Sequence, residues 1–158
     1  MVSELHAAKI AHGDLQVANI KVKEDGTLIL IDYDTLFTPS LDGDYDRVKG
    51  NLCFQHHSRL VNELMNPCAD YFSEYIIYFG ILALANYPQL YTYLDLDNND
   101  FIFTQEELYD ISNSRICKFV YLINKQELID ISKGLINAWE ASNVDKIIPL
   151  EMKKKKKV

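Results

Sequence analysis

The sequence feature that most constrains the fold is a pair of polar motifs joined by an alternating segment. His12-Gly13-Asp14 leads to Asn19, five residues after Asp14, and Asp32 follows thirteen residues after Asn19. Between them, residues 20–31 alternate apolar and polar side chains around Asp25-Gly26, which is typical of a β-hairpin with a tight turn. Such a hairpin would bring Asn19 and Asp32 together at its open end. Because Mg²⁺ prefers carboxylate and carbonyl oxygens, we predict a shared Mg²⁺ site there.

The same spacing occurs in the active site of protein kinases, which combine a catalytic loop H-R-D-x-x-x-x-N with a metal-binding D-F-G. From about residue 5 to about residue 108, the chain resembles the catalytic, C-terminal lobe of the protein-kinase-like superfamily. It looks like a group of bacterial kinase-like proteins. The segments that carry the resemblance are His-Gly-Asp-Leu-Gln-x-x-Asn at 12–19, Ile-Asp-Tyr-Asp at 31–34, Phe-Gln-His at 54–56 and Asp-Tyr-Phe-Ser at 70–73.

The resemblance implies a fold, a reaction and a role for each site residue. The fold is mainly α with a small β-hairpin (α+β). The reaction is transfer of the ATP γ-phosphoryl group to a hydroxyl, of the Ser/Thr type, with Mg²⁺ and ATP as cofactors. Asp14 would be the catalytic base, and Asn19 and Asp32 the metal ligands. His12 and Asp70 would support the catalytic loop, although Asp70 could instead be a helix-start acid stabilised by the helix dipole.

Several departures from the kinase pattern limit what the chain is expected to do. Gly13 stands where many protein kinases carry Arg, so control through phosphorylation of the activation loop is not expected at that contact. Asp34 stands where D-F-G has Gly, which removes some freedom to adopt positive φ. Only eleven residues precede His12, and neither G-x-G-x-x-G nor a V-A-I-K-like strand follows. We therefore expect a C-lobe lacking the N-lobe, incomplete or inactive as an isolated chain.

An alternative function is a non-catalytic, pseudokinase-type interaction module. A C-lobe that exposes the apolar face normally covered by an N-lobe needs a partner. That partner would be the missing N-lobe, another protein, or a second copy of the chain through self-association.

We predict one kinase-like domain at residues 1–150 and a Lys-rich disordered tail at 151–158. Within the domain we expect the catalytic loop (12–19), the metal-binding motif (31–34), an activation-like segment (34–67), a central helix (70–86) and C-terminal helices (105–142). The run Tyr75–Ala85 is apolar almost all round, which predicts a buried central helix. Adjacent His56 and His57 should point in different directions, which favours packing or groove-lining roles over a shared metal.

A calcium loop is a further candidate site. Asp95, Asp97, Asn99 and Glu106 occupy positions 1, 3, 5 and 12 of an EF-hand loop. Asp100 stands at position 6, where the turn requires Gly, and no second loop is present to pair with it, which argues against Ca²⁺. The alternative is a polar loop followed by Thr104 as a helix N-cap, with Glu107 completing a capping box.

Charge and cysteine content exclude some partners. The chain has 16 Lys and Arg against 23 Asp and Glu, and five of the lysines lie at 153–157. The acidic body argues against a nucleic acid partner. The three cysteines have no metal-binding spacing and are odd in number, which is typical of reduced thiols in a cytosolic protein. No signal sequence or membrane-spanning run is present, so we expect a cytoplasmic protein without a membrane partner.

Overall fold

The computed structural model describes the backbone of residues 1–155 and the side chains of residues 1–152. Helices dominate, and two short strands form one hairpin, which confirms the predicted mainly α fold with a small hairpin. The helices are α1 (Val2–Ala7), α2 (His57–Val61), α3 (Tyr71–Asn86), α4 (Leu90–Tyr93), α5 (Gln105–Leu108), α6 (Arg115–Ile123), α7 (Gln126–Trp139) and α8 (Leu150–Lys155); the strands are β1 (Ile20–Val22) and β2 (Leu28–Leu30). Short 3₁₀ turns occur at Val17–Asn19, Pro39–Leu41, Leu52–Phe54, Ile111–Asn113 and Val144–Lys146.

The hairpin forms where the alternating segment predicts it. Strands β1 and β2 are antiparallel, with Ile20 opposite Leu30. The Gly26 amide closes the turn by donating to the Lys23 carbonyl (2.9 Å), and Gly26 has a φ of +82°, which glycine adopts without strain. At the other end, the Ile31 amide donates to the Asn19 carbonyl (3.0 Å). This bond continues the pairing as far as the open end, where Asn19 and Asp32 lie.

Helix α3 lies at the centre of the hydrophobic core, as the apolar run predicts. Phe72, Tyr75, Ile76 and Phe79 on this helix are all fully buried, and its most extensive packing is against α7. A Cβ atom at Gly80 would overlap the ring of Phe101, so the loop before α5 packs directly on the backbone of α3. None of the helices in the described part of the chain has the length and apolar character needed to cross a bilayer.

The segment 34–67, expected to be a loop, contains one helix that the sequence analysis did not predict. Helix α2 begins after His56, whose ring nitrogen accepts a hydrogen bond from the Ser58 amide as a cap. The rest of the segment folds back on itself, because the Asp46 amide donates to the Glu63 carbonyl (2.8 Å). A bridge between Ala11 and Phe37 attaches its beginning to the start of the catalytic loop.

The C-terminal helices begin and end at sequence signals. At α5, the Thr104 hydroxyl accepts from the Glu107 amide (3.3 Å) and the Glu107 carboxylate accepts from the Thr104 amide (3.1 Å), which confirms the capping box. The Ser114 hydroxyl caps α6, and Asn124 ends it in the left-handed conformation.

The expectation of a disordered tail from residue 151 is wrong for residues 151–155, which belong to α8. The lysine-rich composition predicted a solvated segment, but two neighbouring side chains attach the helix to the domain. Leu150 is buried in the core, and Glu151 contacts His6 of α1. Residues 156–158 lie outside the described part of the chain.

Candidate active site

The Asp14 carboxylate is held in place by three donors. Its Oδ1 accepts from the Asn51 backbone amide (2.8 Å), and its Oδ2 accepts from the side-chain amides of Gln16 (2.8 Å) and Asn19 (3.1 Å). Gly50 makes the first contact possible, because it has a φ of +68° and a Cβ atom there would overlap the Asp14 carboxyl group. Segment 50–51 therefore fixes the orientation of the expected catalytic base.

Asn19 and Asp32 lie at the open end of the hairpin with different surroundings. Asn19 is buried, and its Nδ2 donates to both the backbone oxygen (2.9 Å) and the carboxylate of Asp14. The amide nitrogen is thereby engaged with Asp14, and Oδ1 is the Asn19 atom that can face a cation. Asp32 is exposed and has a φ of +67°, a strained value that Asp tolerates better than most residues. Asp34, where the sequence analysis expected positive φ to matter, does not adopt it.

The predicted catalytic loop, residues 12–19, is attached to the start of α3 by Asp70. Its carboxylate accepts from the backbone amides of His12 (2.5 Å) and Gly13 (2.9 Å) and makes no side-chain cap to α3. Two roles were considered for Asp70, support of the loop and stabilisation of the start of α3. The hydrogen bonds of its side chain favour support of the loop. Asp70 is almost fully buried, and burial raises the pKa of its carboxyl group even though the two amides act in the opposite direction.

His12 is buried and links the loop to the hairpin. One ring nitrogen, Nε2, lies 2.9 Å from the Ile31 carbonyl oxygen. The His12 carbonyl accepts from the Thr35 hydroxyl (2.9 Å). The ring is thus engaged with the residue immediately before Asp32, which suits an orienting role rather than proton transfer.

The sequence analysis missed a buried ion pair beneath Gly13. Arg59 of α2 pairs with Asp46 (2.9 Å), and both side chains are almost inaccessible. The Arg59 guanidinium also donates to the Gly13 carbonyl. Gly13 itself has a φ of +83°, and a Cβ atom there would overlap the Thr35 carbonyl oxygen. Because Arg59 and Gly13 are far apart in sequence, no spacing pattern could have identified this contact.

His56 and His57 do not point in different directions, as the sequence analysis expected. Both Nε2 atoms lie about 3 Å from the same acceptor, the Trp139 carbonyl oxygen (3.1 and 3.0 Å). His56 is fully buried, and burial lowers its pKa to about 4, so it is neutral near pH 7. Its ring packs against Phe72 and Trp139, which confirms the packing role.

The candidate calcium loop uses its polar atoms locally. The Asp95 carboxylate accepts from the Asn98 side chain (2.8 Å), and the Asp97 carboxylate accepts from the Tyr91 hydroxyl (2.7 Å). The Asn99 side-chain amide donates to the carbonyl of Leu94 (2.8 Å). Glu106 is exposed in the first turn of α5. Asp95, Asp97 and Asn99 are thus engaged in local hydrogen bonds, and the capping box begins α5 at the end of the loop.

The surroundings of the three cysteines do not favour the reactive thiolate form. Cys53, Cys68 and Cys117 are free thiols. Burial raises the pKa of each thiol, in the case of Cys53 to about 12. Since the thiolate is the reactive form, these thiols are poor nucleophiles near pH 7.

Two neighbouring features lie outside the predicted site. An apolar groove of about 420 Å³ is bordered by the hairpin, α1, α3 and α8. At its edge, the side chains of His6, Glu74 and Glu151 meet. The sequence analysis missed this cluster, because its members are scattered along the chain and share no motif.

The polar groups of the predicted site are thus connected to one another: Asp14 to Asn19 and Asn51, His12 to Ile31, and Asp70 to the loop amides. This arrangement presents the half-buried carboxylate of Asp14 in contact with the side-chain amide of Asn19. No protein-family model matches the chain, and no curated protein matches it.

Proposed function

We propose that this chain is the catalytic lobe of a protein-kinase-like, Ser/Thr-type phosphotransferase that transfers the γ-phosphoryl group of ATP to a hydroxyl group. The observation that carries the proposal is the setting of Asp14. Its carboxylate is fixed by Asn51 and Gln16, and it contacts Asn19 at the open end of the hairpin, beside Asp32. A base and two oxygen ligands at one place are what this reaction requires of a protein.

Each residue then has a chemical task. Asp14 accepts the proton of the attacking hydroxyl. Asn19 and Asp32 supply an amide oxygen and a carboxylate, a donor set that suits Mg²⁺, which retains several water ligands. Bound Mg²⁺ would neutralise charge on the phosphates. Because phosphoryl transfer depends mainly on positioning and charge stabilisation, the rigid attachment of the loop to Asp70 contributes directly.

The 158 residues do not supply every part that the reaction needs. The six glycines are too far apart to form a phosphate-covering G-x-G-x-x-G loop. That loop and its accompanying lysine must therefore come from outside these residues, in a further lobe or a partner protein. We expect weak transfer, or none, from the isolated chain, and we assign the activity to the cytoplasm because the thiols are free.

Nucleotide binding tests the metal ligands without requiring turnover. We expect the chain to bind Mn²⁺·ADP, measured by the loss of the free Mn²⁺ signal in electron paramagnetic resonance. Asp32→Asn should weaken binding by about tenfold or more, because it removes a charged ligand. Asp42→Asn changes an exposed carboxylate outside the site and should leave binding unchanged. Equal affinities for the wild type and Asp32→Asn, or no binding by the wild type, would contradict the assignment.

Asp14→Asn separates binding from chemistry. It keeps the size of the side chain, so Mn²⁺·ADP binding should persist. Transfer from Mg²⁺·ATP to protein hydroxyls, detected by mass spectrometry in the presence of a complementing lobe, should disappear. Transfer that survives this substitution would exclude Asp14 as the base. Transfer by the wild-type chain alone would show that no further lobe is needed.

A second candidate function is a non-catalytic interaction module, and the apolar groove favours it. Val22 and Leu28 of the hairpin line the groove and are 67% and 48% exposed. If this face associates with a second copy, light scattering should give a mass that rises with concentration, and Val22→Lys should reduce the rise. Leu122→Lys, at an exposed position of α6, is the matched control. A concentration-independent monomer would exclude self-association.

A further inference from the structure

Three side chains from distant parts of the chain converge beside the groove. His6 comes from α1, Glu74 from the first turn of α3, and Glu151 from the first turn of α8. His6 Nε2 lies 2.6 Å from Glu74 Oε1, and His6 Nδ1 lies 2.7 Å from Glu151 Oε1. One nitrogen or oxygen atom from each residue lies within 4.8 Å of the other two. The imidazole is thus placed between two carboxylates.

The hydrogen bonding of the cluster is incomplete. The short approach of His6 Nε2 to Glu74 Oε1 is not aligned as a hydrogen bond. The second oxygen of Glu74, Oε2, is buried and has no hydrogen-bond partner among the described residues. The Glu74 side chain is only 2% exposed, so it has almost no contact with bulk solvent. A buried carboxylate oxygen left in this way costs free energy unless something else binds it.

The charge of the cluster is also unbalanced. With both carboxylates ionised and the imidazole protonated, the three groups carry a net charge of −1 in a buried position. A divalent cation bound to a neutral imidazole and two carboxylates would bring the total to zero.

We propose that His6, Glu74 and Glu151 form a binding site for a first-row divalent transition metal, for which Zn²⁺ is the natural probe. One imidazole nitrogen and two carboxylates are ligands that zinc uses, and a water molecule entering from the groove completes four-coordination. The cation takes the place of the imidazolium proton.

The cluster has the freedom that metal uptake requires. Ligands at about 2.0–2.2 Å from a tetrahedral zinc lie farther apart than the 2.6–2.7 Å found here, so the side chains must separate slightly. Glu151 can move, because it lies at the start of a short helix and its side chain is 29% exposed. A bound metal would connect α1, which precedes residues 12–19 in the chain, to α3 and α8. It uses none of the residues assigned to the active site.

Zinc uptake by the whole chain tests the site. After treatment with EDTA and dialysis, the protein would be titrated with Zn²⁺ against a chromogenic chelator near neutral pH. We expect one equivalent to bind and the midpoint of thermal unfolding to rise, since the ligand binds only the folded state. His6→Gln and Glu151→Gln should each weaken binding by about tenfold or more. X-ray absorption should show nitrogen and oxygen ligands only.

Matched variants separate this site from adventitious binding. His57→Gln removes an exposed imidazole elsewhere, and Cys68→Ser removes the most accessible thiol; both should bind Zn²⁺ as the wild type does. Circular dichroism checks that each variant is folded. Should Glu74→Gln fail to fold, His6→Gln and Glu151→Gln still decide the outcome. Absence of uptake, unchanged affinity in those two variants, or sulfur in the coordination sphere would overturn the proposal.

Discussion

Two buried carboxylates lie one turn apart on α3, and each serves a different region of the molecule. Asp70 faces the catalytic loop, and Glu74 faces the cluster with His6 and Glu151. They are 2% and 4% exposed, and burial raises the pKa of both. The two carboxylates differ in the hydrogen bonds that compensate for their loss of hydration. Asp70 accepts two backbone hydrogen bonds, whereas Glu74 has a close contact with His6 and neither of its oxygens has a hydrogen-bond partner among the described residues.

Asp70 therefore forms a fixed contact with the loop, whereas Glu74 has a partner that can be replaced. Backbone amides cannot lose their protons or move away, so Asp70 and the loop form a permanent unit. The partner of Glu74 is an imidazole, which can gain or lose a proton and can be displaced by a metal. A catalytic loop benefits from the first kind of link, because its geometry must persist through the reaction. The second kind suits a site whose occupancy changes with conditions.

The largest effect that follows from this contrast is on stability. Asp70→Ala leaves the buried amides of His12 and Gly13 without an acceptor and should cost about 3 kcal/mol or more. Glu74→Gln keeps the size of the side chain and removes a poorly compensated charge, so its cost should stay within about 1 kcal/mol near pH 7. Urea unfolding followed by circular dichroism measures both. Equal costs for the two variants would remove the distinction between the two carboxylates.

The hairpin that joins the candidate site residues could be predicted from sequence because its parts are close along the chain. Asp14, Asn19 and Asp32 are joined by one hairpin, and an alternating segment with an Asp-Gly turn identifies a hairpin. The central helix and the capping box are equally local. The role of Asp70 came from the resemblance to kinases, since an acidic residue at a helix start has an ordinary explanation as well.

The remaining contacts depend on tertiary packing, which leaves no periodic signal. Arg59 reaches the Gly13 carbonyl only because α2 packs under the loop. Composition suggested disorder for residues after 150, yet burial of Leu150 holds that helix in place. The expected divergence of His56 and His57 failed because His56 caps α2 and His57 begins it, so the two rings are directed to the same carbonyl.

A pair of glycines provides a smaller test of the rigidity of the catalytic loop. Gly13 and Gly26 have nearly the same φ, +83° and +82°, so alanine is strained at both. A Cβ atom at Gly26 meets open space, and Gly26→Ala should cost about 1–2 kcal/mol. At Gly13 the Cβ atom would overlap the Thr35 carbonyl, so Gly13→Ala should cost about 1 kcal/mol more than that. Equal unfolding midpoints in urea for Gly13→Ala and Gly26→Ala would mean that the loop can move away from Thr35. That result would contradict a rigid attachment of the loop to Asp70.

The last effect we expect is a pH dependence that belongs to the cluster. Burial lowers the pKa of His6, but the carboxylates of Glu74 and Glu151 outweigh it and raise that pKa from 6.5 to about 9. Burial raises the pKa of Glu74 from 4.5 to about 7. Both pKa values are higher in the folded protein, so the folded state binds more protons. The resulting stabilisation is lost as the pH rises, between about 4.5 and 7 for Glu74 and between about 6.5 and 9 for His6.

Two variants assign these windows when urea unfolding is measured at about pH 5, 7 and 9. His6→Gln should remove the decline in the free energy of unfolding above about pH 7, and Glu74→Gln should remove the decline below it. Burial lowers the pKa of His56 to about 4, so this residue lowers the free energy of unfolding as the pH falls below about 6.5. Each variant is therefore compared with the wild type at the same pH. His57→Gln should retain the wild-type decline above about pH 7. If His6→Gln also retains the decline above about pH 7, the His6 imidazole takes up no proton on folding. The contrast between Glu74 and Asp70 would then be lost.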